Sequence, residues 1–218
     1  MKRIIYHGGK EIIKEPKFGF GNIHNDYGLG FYCTTNNVLA REWAARMTGK
    51  GYVSEYVIRD DRLKILDLTK APYDNIMYWI ALLLHNREIS SRLVDDYPRE
   101  LKYLEYNYLI DVTNYDIVIG YRADDSYFHF PVAFVRSEIT LESLMKVFMA
   151  GELGKQYVLI SKRAFSLVKF MGCYEVGETY KQDYYSRKSN ADKLFSELLK
   201  NDRYFRGTRL RDLVINNE

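Results

Sequence analysis

Two short N-terminal segments carry side chains suited to holding a flat, hydrogen-bonding ring: Tyr6-His7-Gly8-Gly9 and Asp26-Tyr27-Gly28-Leu29-Gly30-Phe31-Tyr32. A neutral imidazole offers one nitrogen that donates and one that accepts. A glycine beside it lets a ligand approach backbone N–H and C=O groups closely. Tyr32 adds an aromatic face on a second short strand, and Trp43 adds another on the helical stretch that follows. Gly28 and Gly30 allow a tight turn between them, and Asp26 is placed either to cap that turn or to contact a bound ligand. Much further along, Gln156 opens the apolar run Gln156-Tyr157-Val158-Leu159-Ile160, and Asp124-Asp125 follows the strand-like Asp116-Ile117-Val118-Ile119-Gly120. Each feature also has an ordinary reading: an edge-strand end, core aromatics, a solvated aspartate turn. What favours a site is their joint occurrence.

These residues need strands and helices to present them. Residues 2–6 and 31–35 read as short strands with a glycine-rich loop, 18–30, between them. Val38 to Met47 reads as a helix, with Asn36 or Asn37 as N-cap and Thr48-Gly49-Lys50-Gly51 as its stop. Tyr52 to Ile58 and Leu63 to Leu68 read as strands around an Asp60-Asp61 turn. Asn75 to Asn86 is apolar nearly all round, the mark of a buried helix. Arg99 to Tyr108 reads as helical and Tyr115 to Tyr121 as a buried strand. Thr140 to Ala150 reads as a helix closed by Gly151, and Gln156 to Ser161 as a strand. Lys162 to Phe170 reads as a helical turn or two, Gln182 to Leu199 as an amphipathic segment, and Arg209 to Ile215 as a short helix or strand. Irregular spacing of this kind is not the βαβα rhythm of a doubly wound sheet. It predicts an α+β fold with largely antiparallel sheets.

A length of 218 residues fits one domain, and a 47% apolar content allows a core without disulfides or metals. Neither Cys-x-x-Cys nor His-x-x-x-His is present, so no metal is expected. Cys33 and Cys173 both fall in apolar strand-like contexts and are expected as buried free thiols. The 20 tyrosines suit clefts and nucleotide sites, although an AT-rich genome gives the same composition. A net charge of +3 from 32 basic and 29 acidic residues is close to balance and does not select nucleic acid as a partner. The basic stretches Lys162-Arg163 and Arg203 to Arg211 read as solvated helix faces. The first residues hold no apolar h-region, and the longest apolar run, Ile76 to Leu84, is too short for a bilayer. A cytoplasmic protein with no membrane association is expected.

The segments in order resemble the diphtheria-toxin-like, or poly(ADP-ribose) polymerase-like, branch of the ADP-ribosyltransferases. That branch carries a histidine–tyrosine–glutamate triad on three strands of a split sheet. His7 matches the first position, Tyr32 in Gly-x-Gly-Phe-Tyr the second, and Gln156 occupies the glutamate position. Trp43 falls where the branch has a second aromatic against nicotinamide. The chain is also similar to DUF3990, a bacterial family of that superfamily, at Tyr-His-Gly, Gly-x-Gly-Phe-Tyr-x-Thr, Ala-x-x-Trp-Ala, the Ala-Asp-Asp strand end and Gln-Tyr-Val.

The resemblance implies an ADP-ribosyltransferase fold over residues 1–178, with 179–218 a helical extension packed on the same domain. It implies NAD as substrate, held by His7, Gly8, Asp26, Gly30, Tyr32 and Trp43. It also implies mono-ADP-ribosylation of a protein or nucleic-acid acceptor, in the setting of a toxin with an antitoxin partner or of phage defence. Gln156 keeps the shape of glutamate but takes no proton at neutral pH. The acceptor then needs no enzymic base, or Asp124 or Asp125 serves as auxiliary base, or the chain is a non-catalytic module that binds NAD, ADP-ribose or a nucleic-acid end.

Overall fold

The computed structural model describes residues 1–46, 49–150 and 154–217. The chain is α+β, with two small sheets and flanking helices. One sheet has the order β1-β3-β7, formed by Lys2–Gly9, Gly51–Arg59 and Val168–Val176, all antiparallel. The other has the order β2-β6-β5-β4, formed by Phe31–Cys33, Lys155–Leu159, Ile117–Tyr121 and Ile65–Asp67. Within it β2-β6 and β6-β5 are antiparallel, but β4 runs parallel to β5. The sheets are thus largely antiparallel, as expected, and the β4–β5 pair is parallel because a helical crossover over residues 72–108 carries the chain back between the two strands.

Among the described residues, one backbone bridge joins the sheets. Tyr6 N–H donates to Thr34 O at 2.8 Å, and Thr34 N–H returns the bond to Tyr6 O at 2.9 Å. Asp60, expected as a plain turn residue, is a second tie: its buried carboxylate accepts from Arg3 Nε of β1 at 2.5 Å and from the Tyr157 hydroxyl of β6 at 3.3 Å. Ile5, Phe31, Tyr56, Ile117, Tyr157 and Leu159 fill the space around these ties as one apolar cluster.

Helix α1, Asn37–Ala45, is capped by the Asn36 side chain, which accepts from Val38 N–H at 2.9 Å. Its Ala40 and Ala44 lie one turn apart on the face that meets β1 and β3. A Cβ on Gly8 would stand 2.0 Å from Ala40 O, and one on Gly51 would stand 2.0 Å from Ala44 O. Both strands therefore touch the helix backbone to backbone, and α1 cannot be displaced without losing Trp43's position. The parts of the expected stops at Met47, Thr48 and Gly151 lie outside the described residues.

The larger core surrounds helices α2 (Pro72–Asn86), α6 (His129–Val135) and α7 (Leu141–Ala150), with Trp79, Phe130, Phe134 and Phe148 at its centre. Thr140 caps α7 by accepting from Ser143 N–H at 3.2 Å, as the Thr140-x-x-Ser143 spacing predicts. Helices α3 (Ser91–Asp96), α4 (Pro98–Tyr108) and α5 (Asp124–Tyr127) flank this layer. Helix α9, Thr179–Asn201, and α10, Leu210–Ile215, close it through Ala191, Phe195, Leu210 and Val214.

Two expectations are corrected at the other end of the first sheet. Helix α8 spans Lys162–Leu167, and Val168 begins β7, so Lys162 to Phe170 is helix followed by strand. Cys33 is buried as expected, but Cys173 is exposed, because residues of β7 alternate and 169, 171, 173 and 175 face outward. Replacing Gly8 with alanine drives a methyl group into the α1 backbone. The G8A variant is expected to lose about 1–3 kcal/mol of stability, read as a lower urea midpoint with unchanged slope.

Candidate functional site

The His7 ring is fixed by two contacts. Its Nδ1 lies 2.7 Å from Tyr32 O, and the ring stacks on Phe31 at 4.9 Å between centroids. A carbonyl only accepts, so Nδ1 carries the proton and Nε2 keeps its lone pair. Burial holds the imidazole below its ordinary 6.5, with the bond to Tyr32 O opposing the shift. His7 is thus neutral near pH 7, with an acceptor nitrogen available.

Tyr32 presents its ring rather than its hydroxyl. The hydroxyl donates to Gly28 O at 2.7 Å and accepts from Tyr27 N–H at 3.0 Å, which folds the Asp26–Gly30 turn around it. Burial raises its pKa far above the ordinary tyrosine value. Gly28 has φ +71°, a backbone conformation that favours glycine. Tyr27 anchors the same turn from below, donating from its hydroxyl to Tyr121 O at 2.6 Å and accepting from Trp79 Nε1 at 2.8 Å.

Strand register sets Gln156 beside Tyr32. Tyr32 pairs with Val158, and Gln156 lies two residues along β6, so the two side chains share a face. Gln156 is buried, and its Oε1 has no hydrogen-bond partner. The buried Trp43 Nε1 is in the same condition. An unpaired buried polar atom costs about 1–3 kcal/mol, so each awaits a partner.

His7, Gly8, Asp26, Gly30, Tyr32, Trp43 and Gln156 all line one cavity of about 540 Å³. That volume falls within the roughly 300–1,000 Å³ of small-molecule sites. Seven positions singled out from sequence are therefore brought together. Asp26 lines the cavity and ties its turn to distant segments: its Oδ2 accepts from Ala123 N–H at 3.0 Å, and its Oδ1 faces Arg87 Nη1 at 3.5 Å. Asp125 is not brought in. It is exposed, outside the lining, and ion-paired with Arg87. The side chain of Asp124 lies outside the described residues. Gly8 lines the cavity, but its missing Cβ makes room for α1, which is a packing reason for glycine independent of any ligand.

Sequence reasoning missed the cavity's cations, Arg46, Arg87 and Arg122, and the loop residues Glu15 and Lys17. Arg122 is almost fully buried, with its guanidinium 5.3 Å from the Trp43 ring centroid and 5.8 Å from that of Tyr184. One face of Trp43 is thereby covered. Arg46 lies 4.5 Å over Tyr184. Arginines of this kind carry no motif; Arg46 and Arg122 fall beside a helix and a strand judged to bear site residues, whereas Arg87 follows a helix read only as buried.

Helix α9 stands behind this wall. Arg187 donates through Nη2 to Glu42 Oε1 at 2.9 Å and through Nε to Oε2 at 3.1 Å, and Glu42 is fully buried on α1 one residue before Trp43. Arg41 of α1 donates to the Tyr180 hydroxyl at 2.7 Å. Among the described residues no group of His, Cys, Asp and Glu could hold a metal ion, and no helix is long and apolar enough to cross a membrane.

Residues 3–170 match the model of DUF3990, a family described as a protein of unknown function, and the chain belongs to that family. No curated protein and no solved structure matches the chain.

Two outcomes follow from this geometry. His7 has a lowered folded pKa, so its contribution to stability is present above the unfolded value near 6.5 and is lost as pH falls toward the folded value. An imidazole titration followed by NMR is expected to place His7 below 6.5, and a value above it would refute the assigned burial. Arg187→Met strands the Glu42 carboxylate and is expected to cost about 3–5 kcal/mol in denaturant unfolding, whereas an exposed pair would cost under about 1.

Proposed function

We propose that this DUF3990 member binds NAD and transfers its ADP-ribose to a macromolecular acceptor, a protein or a nucleic acid. The observation that carries the reading is the convergence of His7, Tyr32 and Gln156, from three separate strands, on a cavity that Gly8 and Trp43 also line. This is the arrangement asked for by the ADP-ribosyltransferase pattern, with glutamine in place of glutamate. A setting in which an antitoxin partner restrains the protein in the cytoplasm belongs to the same reading.

NAD supplies a labile bond: nicotinamide leaves with the C–N electron pair, and the ribose develops oxocarbenium character. The neutral His7 suits a ribose hydroxyl, which donates to Nε2. The Gly8 backbone suits the carboxamide, and the Tyr32 ring with the open side of Trp43 suits the flat nicotinamide. Arg46, Arg87 and Arg122 give the cavity the cationic lining that a diphosphate favours. The unpaired Gln156 Oε1 and Trp43 Nε1 offer one acceptor and one donor to a ligand rich in both. Tyr32 moves no proton, since its hydroxyl is committed to the turn. Gln156 orients and stabilises by its dipole but takes no proton, so the acceptor arrives without needing an enzymic base.

The uncharged Gln156 favours a second reading, a silent module that binds NAD or ADP-ribose. Calorimetry with NAD, followed by an assay for free nicotinamide, separates the two. Release is expected from the wild type, with His7→Ala and Tyr32→Ala each lowering it about a hundredfold or more. Binding with no release selects the module, and no binding refutes both. Gln156→Glu is expected to raise NAD hydrolysis or change the acceptor.

A further inference from the structure

The segment from Lys10 to Gly21 forms the outer rim of the cavity and carries Lys10, Lys14 and Lys17, together with Glu11 and Glu15, among the exposed apolar side chains Ile12, Phe18 and Phe20. Phe20 is 70% exposed and Phe18 is 44% exposed. Exposed phenylalanines on a loop are costly unless something covers them. Each has an ammonium group near its ring: Lys17 Nζ lies 5.8 Å from the Phe20 centroid, and Lys162 Nζ lies 5.7 Å from the Phe18 centroid. Lys162 comes from the start of α8, where Arg163 is also exposed. Phe18 is steadied edge-on by Phe165 of the same helix at 5.7 Å. Lys162-Arg163, read from sequence as a solvated helix face, is thus one side of an aromatic and basic surface, and Lys17 and Phe20 carry that surface into the cavity lining.

We propose that this rim docks a single-stranded nucleic acid, which is the acceptor for the ADP-ribose. The inference rests on the NAD reading above. Aromatic faces that stack any base, interleaved with cations that follow the phosphates, are the chemistry that recognises an unpaired strand. A duplex hides its base faces and gains only the charge term. The rim also suits the missing base at position 156. Transfer forms a bond from a nucleic-acid oxygen or nitrogen lone pair to the ribose carbon and breaks the bond from that carbon to nicotinamide, which keeps the electron pair. Any proton on the attacking atom passes to water. A phosphate oxygen or ring nitrogen needs no help to attack, so an amide at 156 suffices.

The test is fluorescence anisotropy of the full chain with a labelled 12-nucleotide single strand and with the duplex of the same sequence, each over a salt series. Tighter binding of the single strand is expected. Phe18→Ala is expected to weaken it about tenfold, and Lys162→Glu is expected to reduce the salt slope by about one. Phe18 and Lys162 lie outside the cavity lining, so NAD affinity by calorimetry stays at the wild-type value in both. Equal affinity for strand and duplex, or unchanged affinity in both variants, overturns the proposal. So does a labelled-NAD assay in which only protein is modified in a mixture of protein and single strand. Strand binding in a protein that ignores NAD would uphold the docking surface, remove its role as acceptor site, and refute the NAD reading instead.

Discussion

The pairing of Tyr6 with Thr34 is the constraint on which the site depends. Two sheets with different strand orders meet at this backbone bridge, and the residues that follow or precede it are the ones that face the cavity. Because strand side chains alternate, a slip of one residue at the bridge would turn His7 away and carry Tyr32 to the other face. The bond from His7 Nδ1 to Tyr32 O opposes that slip, and the Arg3–Asp60–Tyr157 contact opposes it from the far end of β1. The side chain that would meet a ligand is therefore also a clamp between the sheets, and its tautomer is set by the clamp rather than by the ligand.

Much of this was legible in the sequence, and the misses have physical causes. Glycines and caps announced the N-terminal turn and α1, and the apolar run around Trp79 announced a buried helix. Gln156 was found only through the resemblance, as the residue standing where the ADP-ribosyltransferase pattern has glutamate before a Tyr-hydrophobic run. The strand β7 was not found, although Val168 to Val176 alternates with period two. The helix before it has a good serine cap and runs into it without a break, so local pattern offered no boundary. Asp60 and Asp125 show the opposite failure. Both read from sequence as turn residues, although Asp125 lies in α5, and only tertiary contact distinguishes a buried sheet tie from an exposed ion pair. Arg122 was invisible for the same reason: a buried guanidinium among three aromatic rings depends on residues from α1, α5 and α9.

The helix α9 extends the argument past the residues that define the family. The family match ends at residue 170, whereas Tyr180, Tyr184 and Arg187 bear on the outer side of α1. A buried Glu42 adjacent in sequence to Trp43 couples the cavity wall to this helix, so the wall's back is supplied by a segment whose sequence is free of the shared motifs.

The close approach of Gly8 and Gly51 to α1 has a mechanical consequence. At these two points helix and strands meet backbone to backbone, and only small side chains such as Ala40 and Ala44 lie between them elsewhere, so this wall of the cavity is thinly and tightly packed. The opposite wall is a long loop, tied by the Tyr32 hydroxyl at one end and by a bond from the Tyr56 hydroxyl to Ile13 O near the other. Three of its glycines, Gly19, Gly21 and Gly28, have positive φ, and it is built from turns rather than a ladder. Any breathing of the cavity is thus one-sided: the anvil is α1 on its sheet, and the moving jaw is the loop that carries Phe20.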